Sequence, residues 1–182
     1  MKNVFIFLFI LSLTGAVFGQ RLNRKTLDKI LSESAKTNTD ALIISKNGKI
    51  IHKDYFGKGM KEIEAMSATK SIVGLAVALL VDKGFLKSFD EPVSTFYPEW
   101  KTDERKNITV RHLLNHTSGL QNFPNAGIEV ETSPDVIKLA LKAKLETKPG
   151  EVYSYNNKAT NLLIGVVEKA SKTYFFRFLR KN

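Results

Sequence analysis

Ser67 and Lys70 stand three residues apart in "EAMSATKSIVG", at the mouth of an apolar run from Ile72 to Val81 broken only by Gly74. Residues three apart on a helix share a face, so the Ser67 hydroxyl and the Lys70 amine can meet. Burial and the positive end of the helix dipole both disfavour a charged lysine there. A neutral amine can take the serine proton and leave a nucleophile. The competing reading is a capping serine beside a lysine whose stem snorkels to the surface. The apolar run beyond Lys70 favours the chemical reading, because it predicts a helix buried on every side.

Two histidines offer a second arrangement. His112 and His116 lie four apart in "HLLNH", a spacing able to grip zinc. The glutamate of the H-E-x-x-H pattern is missing and the sequence points to no third ligand, so no metal site is expected. A polar-network role for His116 is the better expectation. A Ser-His-Asp triad lacks its G-x-S-x-G elbow. No cofactor is called for.

The elements that must position these groups are legible in outline. Leu27, Ile30 and Leu31 fall at helical spacing within 24–35. Two apolar runs flank Asn47-Gly48 in "ALIISKNGKIIHKDYFG", a hairpin signal because both turn residues tolerate positive φ. The Ser67 helix should stop at Gly84. "DEPVSTFYPEW" reads as loop. Thr109 should cap a short helix that ends in a turn at Thr117, Ser118 and Gly119. Ser133 as N-cap and Pro134 at the first helical position predict another helix. "KPGEVYSYNN" reads as a turn and a short extended piece, followed by a buried helix in "ATNLLIGVVEKA". Helices after one hairpin predict an α+β fold with a small antiparallel sheet.

Composition bounds the rest. The chain has 182 residues, 43% hydrophobic and 25% charged, as an ordinary globular domain does. Its net charge of +10 comes from scattered single Lys and Arg, with Arg177, Arg180 and Lys181 the nearest thing to a cluster, so nucleic acid is not an expected partner. The first residues have Lys2, an apolar stretch from Val4 to Leu13, then small residues, the pattern of a secretory leader cleaved after Gly19. The stretch is short of the roughly 20 apolar residues of a membrane span, so no stable span is expected after cleavage. That expectation gives a leader over 1–19, a hydrolase domain over 20–182 and a periplasmic or secreted product. With no cysteine there is neither disulfide nor thiol chemistry.

Taken together, "MSATKSIVGLAVALLVDKGFLKSFDEPVSTFYPEW", "NITVRHLLNHTSGL" and "KPGEVYSYNNKATNLLIGVVEKAS" resemble the serine β-lactamase and penicillin-binding family. The similarity is greatest to the branch of class C β-lactamases, D-alanyl-D-alanine carboxypeptidases and related esterases. It extends from about Leu27 to Ser171. The resemblance implies the β-lactamase/transpeptidase-like fold, an antiparallel sheet with a helical region. It makes Ser67 the acylated nucleophile, Lys70 its activating partner, Tyr155 a proton relay to or from the leaving group and Asn157 a hydrogen-bond partner of the substrate amide. A phenol can serve as base only where a cation such as Lys70 stabilises the phenolate, since free tyrosine titrates near 10. Read without the family, Tyr155 would pack an aromatic edge and Asn157 would cap the helix after it.

The family's K-T-G or H-x-G strand has no counterpart, and "TYFFRFLRKN" does not read as the family's continuation. The expectation is therefore a chain lacking the later strands, with impaired turnover. The tail itself is expected to be either a frameshifted or prematurely stopped end or a divergent last helix. The implied substrate is a small molecule or peptide: a β-lactam, a D-Ala peptide or a small ester. The alternatives are a protein that acylates or binds without turnover, and an inactive fragment.

Overall fold

The computed structural model describes residues 23–122 and 126–182, so the leader expected over 1–19 lies outside them. The chain divides into two compact units, one up to Ile63 and one from Glu64 to Asn182.

In the first unit, α1 spans Arg24–Ala35, as the periodicity predicts, and Asn23 caps it by accepting from the Thr26 N–H. Its apolar stripe is shallow, and none of its residues is fully buried. Strands β1 (Leu42–Lys46) and β2 (Lys49–Asp54) form the hairpin. The turn works because Asn47 and Gly48 both hold left-handed φ, 50° and 73°, which matches the twist of the strands. Register runs from Leu42 opposite Asp54 to Lys46 opposite Lys49, and shifts between Ile44 and Ser45.

The second unit is helical. A 3-10 turn, Met66–Ala68, leads into α2 (Thr69–Asp82). Then come α3 (Val110–Leu114), α4 (Ala126–Thr132), α5 (Val136–Leu141), α6 (Asn157–Ser171) and α7 (Phe175–Lys181). Helix α6 is the hub and packs on α2, α3, α4, α5 and α7. It contributes Ala159, Leu162, Leu163, Val166 and Val167 to the core. Helix α2 adds Val73, Ala76, Val77 and Leu80, a single face at i, i+3, i+4, i+7. The helix is thus not buried on every side: Ile72 and Leu75, on its other face, are 45% and 66% exposed. Hydrophobic composition reports how apolar a helix is, but not how many neighbours cover it.

Gly84 ends α2 as expected, at φ 73°, with the Phe85 and Leu86 N–H groups both turned back onto the Leu80 carbonyl. Thr109 caps α3 and accepts from the His112 N–H, while His112 Nδ1 accepts from the Thr109 N–H in return. Helix α5 starts later than Ser133 and Pro134 suggest. Asp135 is its N-cap, accepting from the Lys138 N–H, and the Ser133 hydroxyl serves the Asp135 N–H instead. Two carboxyl- or hydroxyl-bearing residues compete for the cap, and the one that lies three before a free helical N–H takes it.

The segment read as loop is a series of 3-10 turns that carries core residues. Val93, Tyr97 and Trp100 are buried; Trp100 Nε1 donates to the Leu141 carbonyl and Tyr97 Oη to that of Leu162. Gly165 of α6 is required where Tyr97 arrives, because a Cβ there would lie 2.0 Å from the phenol oxygen. Within the last ten residues, Phe175–Lys181 form α7, which packs into the core. Phe175 and Phe178 of α7 are buried, Phe178 meets Phe85 edge-to-face, and Glu168 of α6 accepts from the Phe175 N–H. Among the described residues no helix is long and apolar enough to cross a membrane.

Candidate active site

Ser67 sits in the 3-10 turn directly before α2, and Lys70 is the second residue of the helix. The turn carries strain where it matters: Met66, beside the serine, holds φ 45°, a region costly for a residue with a Cβ. The Thr69 hydroxyl ties the turn down by donating to the Met66 carbonyl at 2.6 Å. Across this junction Lys70 Nζ donates to Ser67 Oγ at 3.0 Å, as the spacing predicts.

Tyr155 comes from the other end of the unit. Its phenol donates to Ser67 Oγ at 2.7 Å, and Lys70 Nζ lies 5.0 Å from its ring centroid. The serine oxygen is thus the common acceptor of an amine and a phenol. A hydrogen bond from Lys70, then the bond to Ser67, hold the Tyr155 phenol below the ordinary phenol range. The Lys70 amine therefore stands where the phenolate reading of Tyr155 requires a positive charge.

The "HTSGL" segment explains how a loop residue is held so exactly opposite a helix. His116 turns back with φ 56°; its carbonyl accepts from the Ser154 N–H at 2.8 Å and its Nδ1 from the Asn156 N–H at 3.1 Å. Its ring stacks on Tyr155 with centroids 4.7 Å apart. Asn122 Nδ2 donates to the Tyr155 carbonyl at 2.8 Å. Gly119 allows the clamp to close, since a Cβ there would meet the Thr147 carbonyl oxygen at 2.1 Å. His116 is neutral in this role: burial, and then the nearby Lys70 charge, lower its pKa below the usual imidazole value. His112 is occupied in the α3 cap, so the two histidines serve separate networks, and no group of metal-ligating residues occurs among the described residues.

The cap of α6 is Asn156, one residue before the asparagine considered from sequence. It is 1% exposed, accepts from the Ala159 N–H at 2.9 Å and donates from Nδ2 to the Leu120 carbonyl at 2.6 Å. This leaves Asn157 free of capping. Its Oδ1 is buried without a hydrogen-bond partner, and the residue lines a groove of about 890 Å³ together with Ser67 and Lys70. Sequence reasoning missed Asn156, His116 as a support of Tyr155, and Asn122. The signal for the first was present, since an asparagine three before Ala159 is a cap in the making. The other two depend on contacts 33 and 40 residues distant.

A model of the Beta-lactamase family matches residues 27–182, through the tail that reads as divergent. Penicillin-binding protein 4* of Bacillus subtilis is 26% identical over 181 residues, covering 90% of this chain and 39% of that protein. Protein flp of Staphylococcus aureus (strain COL) is 27% identical over 159 residues, with coverage of 78% and 32%. The chain thus spans about two-fifths or less of the length of these curated relatives. Among solved structures, the octameric penicillin-binding protein homologue from Pyrococcus abyssi superposes with a TM-score of 0.63 at 28% identity, covering 86% of this chain and 41% of that one. FmtA from Staphylococcus aureus gives 0.67 at 24% identity, with coverage of 86% and 46%, a likeness of fold.

Proposed function

The chain belongs to the beta-lactamase family, and on that premise we propose that it is an exported serine hydrolase working through an acyl-Ser67 intermediate. The observation that carries this reading is the convergence of Lys70 Nζ and Tyr155 Oη on Ser67 Oγ at 3.0 and 2.7 Å. The Lys70 ammonium stabilises the Tyr155 phenolate, which takes the Ser67 proton. Ser67 Oγ attacks the substrate carbonyl carbon, and the Ser67 backbone N–H supports the oxyanion. The Tyr155 phenol then protonates the leaving group as its bond to the acyl carbon breaks. Water releases the acid by the same route in reverse. Asn157 Oδ1 accepts an N–H of the substrate. The substrate classes that fit are a β-lactam, a D-Ala peptide and a small ester.

Incubation with a fluorescent penicillin or a fluorophosphonate, followed by mass spectrometry, tests the assignment. One adduct is expected, on Ser67. Labelling that survives Ser67→Ala removes Ser67 from the role, and absence of any adduct on the folded chain overturns the reading. Adduct without product release identifies a binder that acylates and does not turn over. N-terminal sequencing of the secreted protein tests export, with Gln20 expected as the first residue; retention of Met1 in the cytosol contradicts it.

A further inference from the structure

The Met66 carbonyl and the Ser67 N–H belong to one peptide unit. That unit is planar and trans, so the two groups point in opposite directions, and whatever fixes the carbonyl also aims the N–H. One residue fixes it twice. Thr69 donates to the Met66 carbonyl from its backbone N–H and from its hydroxyl, the second at 2.6 Å. The turn's own first bond runs from the Ala68 N–H to the Ala65 carbonyl at 2.9 Å. The Ser67 N–H comes one position earlier, among the donors that a helix start leaves to an outside acceptor.

The clamp opposes a strained backbone. Met66 holds φ 45°, in the left-handed region that a residue with a Cβ avoids. Return of Met66 to the ordinary region would swing the shared plane and turn the Ser67 N–H with it. The backbone bond from Thr69 belongs to the turn and would form with any residue other than proline there. The hydroxyl is what this side chain adds, and it falls on the one carbonyl whose peptide carries the nucleophile's N–H. We propose that Thr69 is a positioning residue for acyl transfer, its hydroxyl holding the Met66–Ser67 peptide so that the Ser67 N–H faces the oxyanion. Thr69 acts through the backbone rather than on the proton relay. A carbonyl that accepts two bonds also polarises its peptide, which strengthens the N–H as a donor. The inference rests on the acyl-Ser67 reading above and adds a residue to it.

The test compares Thr69→Val, which keeps the shape and loses the hydroxyl, with Thr69→Ser, which keeps the hydroxyl. Deleting an oxyanion donor outright costs about 10²–10³ in rate, and misaiming one costs part of that. Thr69→Val should slow acylation of Ser67 by p-nitrophenyl acetate about 10-fold or more, and Thr69→Ser should recover most of the loss. An arylboronic acid, whose boron takes up Ser67 Oγ and presents a tetrahedral oxyanion, should bind Thr69→Val more weakly by a similar factor. The pH midpoint of acylation should not move, since Tyr155 and Lys70 are untouched. Thr69 is exposed, so a urea melt should show the variant folded; Thr69→Ala gives a second deletion if valine crowds the turn. An unchanged rate in the folded deletion variants overturns the proposal. So does an equal loss in Thr69→Ser, or a slower rate with boronate affinity unmoved. A parent chain that neither the ester nor the fluorophosphonate modifies at Ser67 removes the acyl-Ser67 reading itself, and this inference with it.

Discussion

Tyr155 Oη donates to Ser67 Oγ at 2.7 Å, joining two residues 88 positions apart. One partner lies on a strained turn ahead of α2, and the other on a loop clamped by His116 and Asn122. Tyr155→Phe removes only the phenol oxygen of a side chain that is 43% exposed. Acylation of Ser67 should slow by about 10²–10⁴-fold, the usual worth of a positioned acid–base group, with little change in stability. Stopped-flow release of p-nitrophenol, beside a urea melt, separates the two effects.

The pH profile should identify the phenol. Its pKa is lowered by the Lys70 hydrogen bond first and the Ser67 bond second. If the phenolate is the active form, acylation is fast above the folded pKa and lost as pH falls through it, with a midpoint below the ordinary value of about 10. Lys70→Met should move that midpoint upward and slow the reaction. A profile indifferent to Lys70 at every pH would show that the amine does not tune the phenol.

His116 should make the second unit acid-sensitive. Its Nδ1 must be unprotonated to accept from the Asn156 N–H. Its folded pKa lies below the unfolded value of about 6.5, burial being the larger cause and Lys70 the second. The unfolded chain therefore binds the proton first as pH falls. Stability from this residue is complete above about 6.5 and declines as pH drops through the folded value. His116→Gln should flatten the dependence, as read by urea titrations across that range.

The adjacent asparagines should separate cleanly. Asn156→Ala loses the α6 cap and leaves the Leu120 carbonyl without its donor, at a cost of about 1–3 kcal/mol. Asn157→Ala loses neither and should stay within about 0.5 kcal/mol of the parent. It should instead weaken the reaction with amide-bearing substrates by about tenfold. Melts and kcat/KM for a penicillin against a simple ester distinguish the two.

Gly165→Ala should destabilise by about 1–3 kcal/mol, because the new methyl meets Tyr97 Oη at 2.0 Å and Ile137 Cδ1 at 3.0 Å. Removing the oxygen relieves the nearer clash. The double variant Gly165→Ala with Tyr97→Phe should therefore recover part of the loss, despite forfeiting the bond to the Leu162 carbonyl. Additive losses in the two single variants would show that the contact is not the cause.

Local rules settled what depends on a few neighbouring residues. The bounds of α1, the Asn47-Gly48 turn, the Gly84 stop, the Thr109 cap and the Ser67–Lys70 contact all follow from spacings of a few positions, where backbone geometry leaves little choice. The pairing of those residues with Tyr155 came from a resemblance, since no short-range rule joins positions 88 apart. Tertiary structure decided what depends on competition and coverage. Asn156 rather than Asn157 caps α6, and Asp135 rather than Ser133 caps α5, because a cap belongs to whichever side chain finds a free N–H three residues on. Ile72 and Leu75 are as apolar as Val73 and Ala76, yet only the latter pair is buried, because α6 and its neighbours cover one face of α2. The tail became a helix with two buried phenylalanines for the same reason: its fate rests on the surface that α6 offers it, which lies outside its own ten residues.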